Sequence, residues 1–310
     1  MRSTMVGIAA LSILTAIIMT GCRGHESAPI DNTSGAKRTF IMIHLEAGYR
    51  SCKENNLPPG LSIPDDFRLK DLGWQEYFWP TVIELVQKAD EFGFKLTLAL
   101  NPQWAEYILE DNAKVNLVKT WQENGHEMAF HHHGFDHPDW NGYSNRPEAE
   151  NDGLYLGIVN DGYMFVENLA SPYRVSSGTH SDLPLDFPSQ MDIPNADIIF
   201  AEGNALDSYP QLGTVKSLKP YREPKPNGGF RVHLTIREYS TVMQISLDEA
   251  TPILKEQYKN MSGDEVFGIV WHEFDYYRSK DKYIEWFKFI QEQGDKVQTM
   301  ENINASYFYP

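Results

Sequence analysis

The chain has 310 residues, 41% of them hydrophobic, and a formal net charge of −16. That is enough length for one large buried core, while so acidic a chain lacks the basic surface that broad phosphate-backbone binding needs, so nucleic acid is not an expected partner. There is no Gly-rich phosphate loop, no Gly-x-Ser-x-Gly elbow and no Cys-x-x-Cys pair, which removes the usual signals of nucleotide, serine-hydrolase and thiolate-zinc chemistry.

Residues 1–21 read as a signal peptide. One early cation, Arg2, precedes an uncharged apolar stretch from Met5 to Met19, shorter than the roughly 20 residues that span a bilayer. The stretch closes with Met19-Thr20-Gly21-Cys22, which resembles the bacterial lipobox, where cleavage precedes the cysteine and the thiol is lipidated. The resemblance implies export and a lipid anchor on Cys22 in a bacterial membrane, the outer membrane or cell surface first; an uncleaved anchor is the alternative. Residues 22–37, rich in Ser, Gly, Pro, Asp and Asn, are expected to form a flexible tether. Cys52 is then the remaining cysteine, which leaves no intrachain disulfide framework.

Arg38 to His44 is a continuous apolar run and predicts a buried strand, and Trp74 to Phe92 has helical spacing ended by Gly93. Lys95 to Leu100 predicts a second strand, followed by short helices around Gln103 to Leu109 and Asn112 to Asn124. Another strand then leads into a dense group of histidines. Pro138 to Asn151 and Asp207 to Gly229 read as long loops. Strands are expected at Asp197 to Phe200, Phe230 to Ile236, Val266 to Trp271 and Lys296 to Thr299, with helices around Leu247 to Asn260 and Asp281 to Gln293. This alternation is α/β: a parallel sheet or barrel with helices outside and an active site at the C-terminal ends of the strands. His44, the histidine group and His272 all fall at such ends.

Five of the ten histidines lie between Gly125 and His137, in Gly-His-Glu-Met-Ala-Phe-His131-His132-His133-Gly-Phe-Asp136-His137. Neutral imidazole is the commonest ligand for zinc and similar cations, so this density reads as a metal site. His133 and His137 are four apart, as on one face of a helical turn, whereas His131 and His133 share a face if the segment stays extended.

The order of these parts resembles the polysaccharide deacetylase family, the NodB-homology carbohydrate esterases. That resemblance implies a distorted (β/α) barrel over residues 38–310, a divalent metal, zinc first, and a carbohydrate substrate. Gly125-His126-Glu127 followed by His133-Gly-Phe-Asp-His137 looks like the family's second motif and assigns His133 and His137 as ligands, with His131 the alternative when counted from Gly125 without an insertion. Gly268-Ile-Val-Trp-His272, ahead of the Trp286 to Met300 segment, resembles the family's last motif and gives His272 the role of general acid. Ser171-Pro-Tyr-Arg174 is similar to the segment whose arginine orients the base.

The first motif departs from the family. Where the family has paired aspartates before a glycine, this chain has His44-Leu45-Glu46-Ala47-Gly48. His44 and Glu46 share strand parity, so either Glu46 is the third ligand, or it is the base and His44 completes the shell. Trp104, Trp140 and Tyr143 are candidate platforms for sugar faces, whereas Trp121 and Trp286 fit helix core faces. Asp136 and Asp275 are placed to orient histidines through their second nitrogen.

These features together lead us to expect a metal-dependent hydrolase that removes N- or O-acetyl groups from a carbohydrate outside the cytoplasm. Two alternatives stand beside it: glycoside cleavage by paired carboxylates drawn from Glu46, Asp136 and Glu273, or a carbohydrate-binding surface lipoprotein without catalysis. Nothing in the sequence signals a protein partner.

Overall fold

A computed structural model of the protein describes residues 37–46, 73–137, 139–180, 185–203, 219–240 and 245–310. All belong to one compact unit within Asn32–Pro310. The expected signal peptide, Cys22, nearly all of the tether and Cys52 lie outside them. No helix among the described residues is long and apolar enough to cross a membrane.

Seven parallel strands close into a barrel. They are β1 (Arg38–Leu45), β2 (Thr97–Leu100), β3 (Glu127–His132), β4 (Ser177–His180), β5 (Ile198–Gly203), β7 (Phe230–Glu238) and β8 (Val266–His272). Each pairs with the next, and β8 and β2 both pair with β1. Two short strands lie beside this ring: β6 (Tyr221–Pro224), antiparallel to β7, and β9 (Lys296–Val297), parallel to the start of β1. The helices are α1 (Gly73–Glu91), α2 (Pro102–Leu109), α3 (Asn112–Glu123), α4 (Val159–Ala170), α5 (Leu247–Lys259), α6 (Glu273–Glu292) and α7 (Met300–Phe308).

The strands are apolar on both faces, as parallel strands covered by helices must be. Along β1, Ile41, Ile43 and Leu45 join the outer core beneath the helices, while Phe40 and Met42 fill the barrel with Ala99, Ala129, Val232, Leu234, Ile236 and Val270. The last inward position of each strand is therefore set by parity. It falls on His44 in β1, His131 in β3, Glu238 in β7 and His272 in β8. Gly268 makes room in this interior, since a Cβ there would lie 2.3 Å from the Phe40 ring.

The opposite end is closed by α7, whose Met300 and Ile303 join the barrel core. There the buried Glu127 carboxylate accepts hydrogen bonds from Thr97 Oγ1 at 2.8 Å, from Ser177 Oγ and from the Glu301 backbone N–H at 3.3 Å. Burial, then the Glu301 charge, pushes its pKa up to about 8.

Several elements depart from the sequence reading, β6 among them, since it lies within Asp207 to Gly229, read as a long loop. α4 and β4 occupy a stretch with weak patterning: Gly162 dilutes the helical pattern, and β4 is the polar run Ser-Gly-Thr-His. Gly162 is there for contact, because a Cβ would meet Pro102 of α2 at 2.8 Å. α6 begins at Glu273, eight residues earlier than expected, through a non-helical kink at Ser279. α7 follows β9 directly, capped by Thr299 Oγ1, which accepts from the Asn302 N–H.

Candidate metal centre at the barrel mouth

Glu46, the first residue past β1, stands among the inward histidines. Its Oε1 lies 2.9 Å from His131 Nε2, and its Oε2 lies 3.0 Å from His133 Nε2. The two imidazole Nε2 atoms are themselves 2.9 Å apart. His44 stacks on His131 with ring centroids 4.1 Å apart and places Nδ1 3.7 Å from Glu46 Oε1. His44, Glu46 and His131 each offer a ligand atom within 4.8 Å of the others. His137 extends the cluster outward, its ring 4.0 Å from that of His133 and its Nδ1 accepting from the Asp139 N–H.

This arrangement suits a cation. Ligands about 2.0–2.1 Å from a tetrahedral ion lie about 3.3 Å from one another, close to the 2.9–3.3 Å separations among Glu46, His131 and His133. Three atoms carrying lone pairs face one point. His44 Nε2, His131 Nδ1 and His133 Nδ1 are buried without a hydrogen-bond partner among the described residues. These are the ring nitrogens opposite those that approach Glu46, so a cation among Glu46, His131 and His133 leaves them to other partners.

Protonation divides the cluster: burial disfavours charge on His133, yet the Glu46 carboxylate raises it above the ordinary histidine value. Burial opposes the Glu46 charge, but the His131 and His133 imidazoles and their hydrogen bonds outweigh it and hold the carboxylate well below its usual range. Burial lowers His131 to about 4 and His137 to about 3, so both are neutral donors near pH 7. His272 behaves in the opposite way. Burial disfavours its charge, yet Glu238, Asp275 and Glu46 raise it well above the ordinary histidine value. Its Nδ1 lies 3.2 Å from Asp275 Oδ2 and 3.3 Å from Glu238 Oε1, and its Nε2 lies 3.5 Å from Glu46 Oε1.

The structure brings together His44, Glu46, His131, His133 and His272, with His137 against them. The converging pair in the motif is His131 and His133, because β3 stays extended through His132 and turns both toward the mouth. His132 faces outward, 3.6 Å from Asp186. Asp275 orients His272 as expected.

Other expected residues stand elsewhere. Arg174 precedes β4 at the far end of the barrel, 55% exposed and paired with Glu167 at 2.7 Å, so it cannot orient a base at the mouth. Asp136 is 73% exposed and bonded to Arg146 rather than to a histidine. Trp104 is fully buried and donates its indole N–H to the Glu46 carbonyl at 2.6 Å, which leaves no face for a sugar. Trp140 and Tyr143 are buried too, joined through the Trp140 indole and the Tyr143 carbonyl. Trp121 and Trp286 pack in the core as expected. Glu273 is spent on the Glu46 and Trp74 N–H groups, so neither it nor Asp136 pairs with Glu46 across a cleft.

Glu238 was missed because the expected strand stopped at Ile236, two residues short. Extending the inward alternation of β7 by one step finds it.

No model of a known protein family matches the sequence, and no curated protein does. Among solved structures, the chain is similar to a protein described as a polysaccharide deacetylase from Mycobacterium smegmatis, with 12% identity, 91% of this chain and 94% of that one covered, and a TM-score of 0.54. It is also similar to Puue allantoinase, with 12% identity, 90% and 94% coverage and a TM-score of 0.56. A third is described as a polysaccharide deacetylase from Pseudomonas aeruginosa PAO1, with 10% identity, 88% and 91% coverage and a TM-score of 0.55. The likeness at such identities is one of fold: the chain has the distorted (β/α) barrel of the polysaccharide deacetylases.

Proposed function

We propose that this chain is a metal-dependent hydrolase that removes N- or O-acetyl groups from a carbohydrate. We place its activity outside the cytoplasm, with residues 38–310 as the catalytic domain, residues 22–37 as the tether and a lipid on Cys22 as the membrane anchor. The observation that carries the reading is the convergence of Glu46, His131 and His133 at the barrel mouth, with His272 Nε2 3.5 Å from the same carboxylate.

Glu46, His131 and His133 would hold the ion, with His44 beside them. A bound divalent cation, zinc first given the nitrogen and oxygen donors, supplies a lowered pKa for water and a polarised acetyl carbonyl. The remaining steps belong to side chains. Both Glu46 oxygens are engaged by imidazoles, which favours Glu46 as ligand and leaves the base role to His44. The reverse division makes Glu46 the base. His272 gives Nδ1–H to Asp275 and keeps Nε2–H for the leaving amine or alkoxide. Glu238 and Asp275, both on the Nδ1 side, stabilise the positive ring that carries that proton.

Metal analysis of the purified protein, coupled to acetate release from a panel of acetylated glycans, tests the reading. We expect a stoichiometric divalent metal and acetate release that chelation abolishes. In His272→Ala the metal should stay while turnover falls by on the order of 10²-fold or more. Protein that binds no metal near neutral pH and releases no acetate would sink the proposal and favour a binding protein.

A further inference from the structure

Glu46 stands where the barrel gives it little support. β1 ends at Leu45, whose carbonyl accepts from the Asn101 N–H at 3.2 Å. Glu46 therefore lies past the last ladder bond, yet its carboxylate must meet two imidazoles within a few tenths of an ångström. Two buried side chains from distant parts of the chain hold its peptide groups. The Glu273 carboxylate accepts from the Glu46 N–H at 3.3 Å through Oε2 and from the Trp74 indole at 2.8 Å through Oε1. On the other side, the Trp104 indole donates to the Glu46 carbonyl at 2.6 Å.

Each half of this clamp is itself fixed. Trp104 is wholly buried in the first turn of α2, and its N–H is capped by Asn101 Oδ1 at 3.1 Å. Glu273 is wholly buried at the start of α6, directly after His272, and Trp74 packs against Phe274 with ring centroids 5.9 Å apart. A buried carboxyl in such surroundings is costly unless its oxygens are used, and here both accept. The clamp thereby ties the residue beside the proposed acid to the residue that carries the proposed ligand.

We propose that Trp104 and Glu273 are positioning residues for Glu46, pre-setting its carboxylate for a divalent cation. This inference rests on the metal-site reading above. Groups that orient a ligand typically change metal affinity by 10–100-fold when replaced. Trp104→Phe keeps most of the ring and removes the N–H. Glu273→Gln keeps the shape but leaves one acceptor oxygen for two N–H donors.

The test is zinc affinity of the full-length apoprotein and its variants, measured by competition with a chelating dye, together with the visible spectrum of the cobalt(II) form at saturation. Trp121→Phe, a similar truncation of a buried tryptophan that packs on Trp79 away from the mouth, is the control for general loosening. We expect at least 10-fold weaker zinc binding and an altered cobalt spectrum in Trp104→Phe and Glu273→Gln, with wild-type values in Trp121→Phe. Wild-type affinity and spectrum in either folded clamp variant overturn the inference. An equal loss in Trp121→Phe overturns it too. If Glu273→Gln does not fold, as judged by circular dichroism, Trp104→Phe decides alone. Wild-type protein that binds neither metal overturns the metal-site reading itself, and the inference with it.

Discussion

Replacing Glu46 by glutamine is the most direct perturbation of the site. The side chain keeps its volume, and the backbone keeps the Glu273 and Trp104 contacts, so the barrel should fold unchanged. What disappears is one negative charge between His131 and His133, at 2.9 and 3.0 Å. If replacing groups that merely orient a ligand weakens metal binding 10–100-fold, losing an anionic ligand should weaken it by about 10²-fold or more, about 2.7 kcal/mol.

The same charge also acts on His272 at 3.5 Å. Two unit charges at that distance attract by about 5 kcal/mol at an effective dielectric of about 20. Glu238 and Asp275 remain to support the imidazolium, so lost turnover should report the ion rather than the acid. Metal titration and acetate release on the same preparation check this. Glu46→Gln with wild-type affinity and wild-type turnover refutes any role for Glu46. Wild-type affinity with turnover lowered about 10²-fold refutes the ligand role and makes Glu46 the base.

The neighbouring histidines separate by strand face. His131→Ala and His133→Ala should each lose stoichiometric metal, while His132→Ala keeps it and loses on the order of 1 kcal/mol of stability, because Asp186 loses its imidazole neighbour but keeps the Ser144 hydroxyl and the Asn145 N–H; elemental analysis with thermal melts tells them apart. At the closed end, the Glu127 pKa is raised from 4.5 to about 8 in the folded state. A raised carboxyl pKa contributes stability below pH 4.5 that is lost as pH climbs through about 8, so wild-type stability should fall over that window by on the order of 2 kcal/mol or more. Glu127→Gln should flatten the fall in denaturant unfolding at pH 5 and pH 8, and an unchanged slope argues against the assignment. Cys22→Ser should abolish lipidation and cleavage at that position; mass spectrometry of a mature N-terminus other than a modified Cys22 rules out the anchor.

Local information sufficed for much of this protein. Strands that are apolar on both faces announce a helix-covered parallel sheet, and strand parity alone turns His44, His131 and His272 to one side. The histidine group and His272 at the end of β8 could be read before any coordinates, because each is a property of one short segment. What sequence could not show was which segments meet. Trp104, Trp140 and Tyr143 look like sugar platforms as isolated aromatics, and the fold buries all three. Arg174 matches a motif in type and order, yet it sits before its strand and so at the wrong end of the barrel. Apart from His44, the partners of Glu46 are distant: its contacts to His131, His133, Glu273 and Trp104 span from 58 to 227 positions of sequence. Periodicity records which way a side chain faces, but barrel closure decides what it faces, since that depends on the register of strands far apart in the chain.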